Sequence, residues 1–251
     1  VCTVYEKPWQ RMLLGRVRHA NPFFHLNEAM WILAGREDVR FLDIFNKQMA
    51  EYSDDGAVFN APYGFRMRYS YGVDQIARVI SLLQRDPFSR QAVIQIWHPV
   101  NDNRETKDKA CNTTIYFQVR DNDLQMTVCN RSNDMIWGAY GANAVQFSVL
   151  QEYIAGYLEC GIGAYHQISN NLHVYLDGKE GELYERLMLE KPNLHKSYDP
   201  YKEHAVCYLP LITDPAVFDE ELMSYMLGVT RKNPARLLKR YFYNPWFEDV
   251  M

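Results

Sequence analysis

The chain has 251 residues, 47% of them hydrophobic, which is enough to form a substantial core. We expect one large domain over residues 1–251. Its formal charge of −4 argues against general binding to nucleic acids or membrane surfaces, because a negatively charged protein does not attract polyanions. No apolar run has the length of a membrane span, and VCTVYEKPWQ lacks the layout of a signal peptide, so we expect a cytoplasmic location. Because the sequence starts on Val, we also expect a few residues to precede it.

The first half of the chain predicts helices followed by a buried strand. Apolar residues at three- and four-residue spacing predict two helices, in HLNEAMWILAG and FLDIFNKQMAEYS, separated at Gly35. The segment DDGAVFNAPYGFRMRYSYG carries Gly, Pro and Asn and predicts loop and turn. VDQIARVISLLQRDP predicts an amphipathic helix that Pro87 ends, and RQAVIQIWHP predicts a buried strand.

The second half predicts a hairpin, a buried helix and one more strand. The hairpin is predicted in TTIYFQVRDNDLQMTVCNRS, where apolar and polar residues alternate on both arms around a turn at Asp121, Asn122 and Asp123. The buried helix is predicted in ANAVQFSVLQEYIAGYLECG, which is apolar nearly all round, and the short strand in ISNNLHVYL. The last sixty residues give weak signals. Hairpins mixed with helices indicate an α+β domain built on an antiparallel or mixed sheet.

The cysteines predict free thiols. They form no Cys-x-x-Cys pair and have no histidine at metal-ligand spacing, so we expect neither a disulfide framework nor a metal site. The five are Cys2, Cys111, Cys129, Cys160 and Cys207.

Among these cysteines, Cys111 is the best candidate for a nucleophile. It lies in the polar segment DKACNTT, whereas Cys129 and Cys160 have apolar neighbours. A reactive thiolate needs a nearby cation, and Arg131 would supply one if the hairpin brought its two ends together. The alternative is that Arg131 is a solvated arginine at a strand end.

Several segments in one order resemble the core of the thymidylate synthase family. They are NEAMWILAG, PYG, DQI, SRQAVIQIWHP, ACNTT, LQMTVCNRSNDMIWG, NAVQFSVL and NLHVY, which together span about residues 20–176. The resemblance implies that fold and a homodimer formed through a sheet face. It also implies one-carbon transfer from 5,10-methylenetetrahydrofolate to C5 of a pyrimidine nucleoside monophosphate, after the Cys111 thiolate adds to C6.

The resemblance also implies roles for other residues. Arg131 and Ser132 would hold the nucleotide phosphate, Asp134 would face the folate pterin, and Arg90 would reach the phosphate site of the partner subunit. Further roles follow by motif match: Glu28 and Tyr63 in proton transfer, His173 and Tyr175 at the ribose hydroxyl, and Trp137 beside Gly138 in the folate wall. Without the resemblance, Glu28 would be a helix-surface carboxylate, and Trp137 would be ordinary packing.

Departures from the family pattern bear on the reaction. Gln91 replaces a second arginine, and Asn112, beside the nucleophile in the catalytic site, replaces a histidine. Met49 and Tyr52 occupy the folate side, near positions where synthases carry tryptophans that keep water from the reactive methylene. The chain therefore looks most like the pyrimidine nucleotide hydroxymethylase branch of the family, and we favour addition of water, which gives a 5-hydroxymethyl nucleotide. Reductive methylation to thymidylate stays the alternative.

The base and two rival functions stay open. The segment from Gly138 to Leu150 is one residue longer than in synthases, so either Ala142 or Asn143 faces the base. Asn143 would suit uracil, whereas Ala142 would leave cytosine equally open. A non-catalytic nucleotide- or RNA-binding homologue and a cysteine hydrolase are the rivals. The C-terminal NPWFEDVM gives no clear match to the family's tail, which closes over folate.

Overall fold

A five-stranded mixed sheet forms the centre of the fold. The computed structural model describes residues 1–11, 20–189 and 210–228. The strands are β1 (Cys2–Tyr5), β2 (Val93–Gln95), β3 (Asn112–Arg120), β4 (Asp123–Asn130) and β6 (Gly161–Ser169), in the order β1-β6-β4-β3-β2. Within this five-stranded sheet, β4 and β6 pair in parallel, and all other neighbouring strands pair antiparallel. Two short strands, β5 (Asn133–Asp134) and β7 (Leu172–His173), form a separate parallel pair. The predicted α+β class with a mixed sheet is confirmed.

The predicted hairpin is confirmed, and its open end brings Cys111 beside Arg131. Asp121 and Asn122 have φ angles of 52° and 64°, as the two central residues of a type I′ turn require. The first residue of β3 faces the last residue of β4. Just beyond that pair, the backbone N–H of Arg131 donates to the carbonyl of Cys111 at 2.9 Å.

Eight helices lie in the described part of the chain. They are α1 (Pro22–Leu33), α2 (Val39–Leu42), α3 (Tyr63–Arg68), α4 (Gln75–Arg85), α5 (Pro99–Asp102), α6 (Asn143–Leu158), α7 (Gly178–Leu189) and α8 (Pro215–Gly228). Short 3-10 turns span Pro8–Gln10 and Lys47–Tyr52, and a π-helical segment spans Met135–Ala142. As predicted, α6 is buried nearly all round; it packs against α1, α4 and β6. Within the described ranges, no helix is long and apolar enough to cross a bilayer.

Two predictions in the first half of the chain are wrong. The single helix expected over FLDIFNKQMAEYS is a short helix and a 3-10 turn, because Asn46 accepts a hydrogen bond from the N–H of Gln48 and starts a new turn there. The expected loop contains α3, which follows Pro62. In α3, Gly64 lies so close to the backbone of Ile32 that no side chain would fit.

The strand predicted over ISNNLHVYL is only partly right. Ile168 and Ser169 end β6, Asn170 and Asn171 form a bend, and β7 is the short strand that follows. The long strand β6 begins earlier, at GIGAYHQIS, where glycines weaken the strand signal. A side chain at Gly163 would collide with Gln125 of β4, so this glycine permits the parallel pairing. The C-terminal region, for which the sequence signals are weak, contains α7 and α8. The hydroxyl of Tyr225 on α8 donates to Asn27 on α1 at 2.5 Å and so joins the two helices.

Candidate active site

A cavity of about 330 Å³, the inner cavity, opens at the end of the hairpin. Eleven of the predicted site residues line it: Glu28, Met49, Tyr52, Tyr63, Cys111, Ser132, Asp134, Trp137, Gly138, Ala142 and Asn143. A second cavity of about 760 Å³, the outer cavity, shares part of this lining, including Glu28, Tyr52 and Trp137, and adds Tyr175. The two cavities therefore form one cleft with the Cys111 thiol at its inner end.

Arg131 is the cation nearest to Cys111 in the described part of the chain. Its Nη2 lies 3.8 Å from Sγ, and its Nε and Nη2 donate to the carbonyls of Ala110 and Lys109 at 2.8 Å and 3.1 Å. The guanidinium also stacks over Trp97 at 5.8 Å. Its Nη1 donates to no described residue, so a donor is left for an anion. Burial raises the pKa of the Cys111 thiol, and Arg131 opposes this effect by stabilising the thiolate.

A buried ion pair holds the segment in front of Cys111. The Arg66 and Asp102 side chains are only 1% and 0% exposed, and two guanidinium nitrogens of Arg66 donate to Asp102, at 2.5 Å and 3.0 Å. The same carboxylate accepts from the N–H of His98 at 2.8 Å and from the N–H of Ala110 at 3.1 Å. Asp102 thus fixes the backbone of the residue that precedes the nucleophile.

Tyr63 and Asp108 lie at the wall of the inner cavity near Cys111. Burial, with the nearby Cys111 and Asp108, raises the pKa of Tyr63, so the phenol keeps its proton at neutral pH. Burial also raises the pKa of Asp108, although the N–H of Ala61 donates to its Oδ2 at 2.7 Å. Asp108 was not among the residues predicted from the sequence, where the available signal was a carboxylate three residues before the candidate nucleophile.

A chain of buried amides forms the wall beneath the base site. Asn112 donates to Oδ1 of Asn143 at 3.4 Å, and Nδ2 of Asn143 donates to Oδ1 of Asn133 at 3.1 Å. Asn133 in turn donates to Ser169 at 3.0 Å and to Gln167. A Cβ at Gly138 would collide with Asn133 and lie 3.3 Å from Nδ2 of Asn143, so this glycine makes room for the chain. Asn112 is therefore buried behind Asn143.

A π-helical segment lies in the stretch where we expect one residue more than in synthases. Tyr140 and Gly141 depart from helical dihedral angles within Met135–Ala142, which is where a π-bulge absorbs an insertion. Ala142 and Asn143 both line the inner cavity, but only Asn143 brings a polar group there. The arrangement agrees with an amide at the base site.

The residues predicted to contact folate form the junction between the two cavities. Asp134 caps the π-helical segment by accepting from the N–H of Trp137 at 2.5 Å, and the Trp137 side chain is 42% exposed. Met49 and Tyr52 face the same junction from the 3-10 turn. Broad aromatic surfaces beside one carboxylate fit a flat heterocycle that carries hydrogen-bond donors, so these residues fit a folate pterin.

Five predicted site residues are outside the lining of the inner cavity: Arg90, Asn112, Arg131, His173 and Tyr175. His173 lies in β7 opposite Asp134, and its ring meets that of Tyr175 edge-on at 5.1 Å. Arg90 lies in a separate surface pocket with Gln118 and Arg120, so it does not serve its own subunit's cavity. Its contact with a partner stays a prediction. The tail NPWFEDVM and Cys207 lie outside the described residues.

The fold and the site define a class of protein in which a half-buried thiol beside an arginine lies at the inner end of a cleft made of two joined cavities. The family model for thymidylate synthase matches residues 14–212. The chain therefore belongs to the thymidylate synthase family, and the resemblance inferred from its motifs is confirmed.

The comparison with curated proteins also confirms the likeness to the hydroxymethylase branch. The chain is 42% identical to the deoxyuridylate hydroxymethyltransferase of Pseudomonas phage M6 over 231 residues, which is 90% of this chain and 66% of that protein. It is 44% identical to the deoxyuridylate hydroxymethyltransferase of Bacillus phage SP01 over 185 residues, 69% of this chain and 48% of that protein. A putative thymidylate synthase of Methanothermobacter marburgensis is 35% identical over 123 residues, 49% of this chain and 54% of that protein. The matches span between 48% and 66% of these relatives.

Proposed function

We propose that the protein is a one-carbon transferase that converts deoxyuridylate to 5-hydroxymethyl-deoxyuridylate, with 5,10-methylenetetrahydrofolate as the one-carbon donor. The observation that carries the proposal is the Cys111 thiol at the inner end of the cleft with the guanidinium of Arg131 at 3.8 Å. The names of the phage relatives support the choice of water addition and of a deoxyuridylate substrate.

Binding of the nucleotide would place its phosphate beside Arg131 and Ser132, where Nη1 of Arg131 is available as a donor. The same arginine stabilises the thiolate against the effect of burial, so one cation both anchors the substrate and activates the nucleophile. Gln91 supplies no second cation at the motif position, which makes the phosphate site depend more strongly on Arg131 and, in a homodimer, on Arg90 of the partner subunit.

The amide of Asn143 supports uracil as the base. It lines the inner cavity and is held in place by Asn112 and Asn133, so its orientation is fixed before substrate binds. An amide matches the donor and acceptor pattern at N3 and C4 of uracil, and a preformed orientation favours that base over cytosine.

The folate donor supplies an electrophilic one-carbon unit that becomes attached to C5. Around it, Asp134 and Trp137 would hold the pterin, and Tyr63 and Glu28 would move the proton that leaves C5. With Met49 and Tyr52 at the junction, water has access to the methylene group on C5. Its addition gives the hydroxymethyl product.

A homodimer through the outer sheet face is part of the proposal. That face carries a row of side chains between 39% and 49% exposed: Val4, Val93, Tyr116 and Ile168. Strand register places Val93 beside Tyr116, so apolar groups are contiguous at this edge. An exposed apolar sheet face of this kind fits an interface.

The test supplies 5,10-methylenetetrahydrofolate with dUMP, dCMP, UMP or CMP labelled with tritium at C5, and follows tritium release, product mass and dihydrofolate absorbance. We expect release from dUMP with a gain of CH2O and no dihydrofolate. A gain of CH2 with dihydrofolate would show the alternative, reductive methylation, which the thymidylate synthase relatives favour. No release from any nucleotide would leave the non-catalytic homologue as the account to pursue.

A further inference from the structure

Gln146 is a buried amide in the lining of the inner cavity. It lies one turn after Asn143 on α6, lines that cavity and is 6% exposed. Its Oε1 accepts no hydrogen bond from any residue in the described ranges. Buried polar atoms without partners are rare in proteins and are often reserved for a ligand or a water.

The other amides nearby already have protein partners. Asn143 is tied to Asn112 and Asn133, and Gln151, further along α6, donates to the carbonyls of Leu124 and Gly163 at 2.7 Å and 3.1 Å. The Oε1 of Gln151 also accepts no hydrogen bond from the described residues, but Gln151 does not line the cavity. Gln146 combines an unpartnered Oε1 with a place in the cavity lining.

The lining of the same cavity also carries the carboxylate that the proposed chemistry needs as a base. Glu28 lies on α1, which packs against α6, and both Glu28 and Gln146 line the inner cavity. A water between them can donate one hydrogen to Oε1 of Gln146 and the other to the carboxylate. Its lone pair is then free to attack an electrophilic carbon.

We infer that Gln146 is the residue that positions the attacking water and so determines that the methylene group on C5 is hydrated. The inference rests on the proposed function. In this step a water oxygen bonds to the exocyclic carbon, and the water proton passes to the Glu28 carboxylate. The electron pair of the exocyclic double bond moves to C5 and re-forms the C5–C6 double bond. The C6–S bond breaks, and Cys111 leaves as the thiolate. No oxidant or reductant is needed.

The test compares Gln146→Met with the wild type in the presence of 2-mercaptoethanol, a thiol that can trap the methylene group in place of water. Met keeps the length of the side chain and removes both hydrogen-bonding atoms. We expect tritium release from C5 within about twofold of wild type, and a hydroxymethyl-to-thioether product ratio lower by about tenfold, the effect of one lost hydrogen bond. Binding of dUMP without folate, measured by calorimetry, should be unchanged.

Gln151→Met is the matched control, because it removes a buried amide from the same helix on the side away from the cavity. It should lower the melting temperature and leave the product ratio unchanged. Gln146→Glu, which keeps an acceptor oxygen, should restore much of the ratio. Gln146→Asn, which withdraws the amide by one methylene, should give an intermediate ratio and replaces the Met variant if that variant does not fold.

Two results would overturn the inference while leaving the proposed function intact. One is a wild-type product ratio in Gln146→Met. The other is a parallel loss of tritium release, dUMP binding and hydroxymethyl product, which would make Gln146 a base-binding or structural residue. If the wild type itself released no tritium from dUMP, the proposed function would fail, and this inference would fail with it.

Discussion

Replacing Asp102 by Asn should destabilise the protein and misplace its nucleophile together. The side chain is fully buried, and it accepts two hydrogen bonds from Arg66 and one each from the N–H groups of His98 and Ala110. Asn keeps the shape, removes the charge and turns one acceptor into a donor. Arg66 is then buried without its counter-charge, which typically costs about 3–5 kcal/mol.

For a chain of this length, each kcal/mol lowers the melting temperature by about 2–4 °C, so the expected drop is about 6–20 °C. Differential scanning fluorimetry gives the melting temperature, and tritium release from dUMP gives the effect on Cys111. Asp38→Asn is the matched control, because Asp38 also binds an arginine and a backbone N–H but is 29% exposed. It should cost about 1 kcal/mol or less.

The effect of Asp102→Asn should depend on pH with a definite sign. Burial alone would raise the pKa of Asp102, but the hydrogen bonds from Arg66 and the backbone lower it overall. Its stabilising effect is therefore fully present above the pKa of an unfolded Asp, about 3.9, and is lost as pH falls through the folded value. The gap between wild type and variant should narrow in acid. A gap below about 3 °C at neutral pH, with normal tritium release, would refute this account of the ion pair.

Three further predictions concern the site itself. Arg131→Met should raise the pKa of the Cys111 thiol, because the opposing cation is lost. The rate of alkylation of Cys111 by iodoacetamide should then rise at a higher pH than in wild type, and an unchanged pH profile of that rate would contradict the role of the arginine. Gly138→Ala should lower the free energy of unfolding by about 1–3 kcal/mol through overpacking, as measured by denaturant unfolding, and should weaken dUMP binding through Asn143, as measured by calorimetry. Unchanged dUMP binding would argue against the chain of buried amides as the wall of the base site. Tyr52→Trp should exclude water from the junction between the two cavities and so lower the ratio of hydroxymethyl to methyl product, which mass spectrometry measures. An unchanged ratio would show that Tyr52 does not control the access of water.

Local signals in the sequence predicted the elements that depend least on distant contacts. The turn at Asp121 and Asn122 follows from residues that tolerate positive φ, and α6 follows from a long apolar run. The turn closes the hairpin, and the hairpin alone already brings Cys111 beside Arg131. The strand β6 was missed because Gly161 and Gly163 look like breakers until the neighbouring strand β4 is in place.

The motif order predicted most of the cavity lining, because the family resemblance carries spatial information that periodicity does not. It could not place Gln146 or Asp108. Gln146 is one of several polar residues on a buried helix, and the side of α6 that faces the cavity is known only once α1 is packed against it. Asp108 likewise gains its role from its hydrogen bond to Ala61, a contact between residues 47 positions apart.

The measurement that tests the central claim most directly is the mass of the product formed from dUMP and 5,10-methylenetetrahydrofolate in oxygen-18 water. The account predicts a nucleotide that gains one CH2O unit whose oxygen is the heavy isotope, with loss of the C5 hydrogen, and no such product from Cys111→Ser. A product that gains only CH2, or a hydroxymethyl group that carries the light isotope, would contradict the addition of water at the Cys111 adduct.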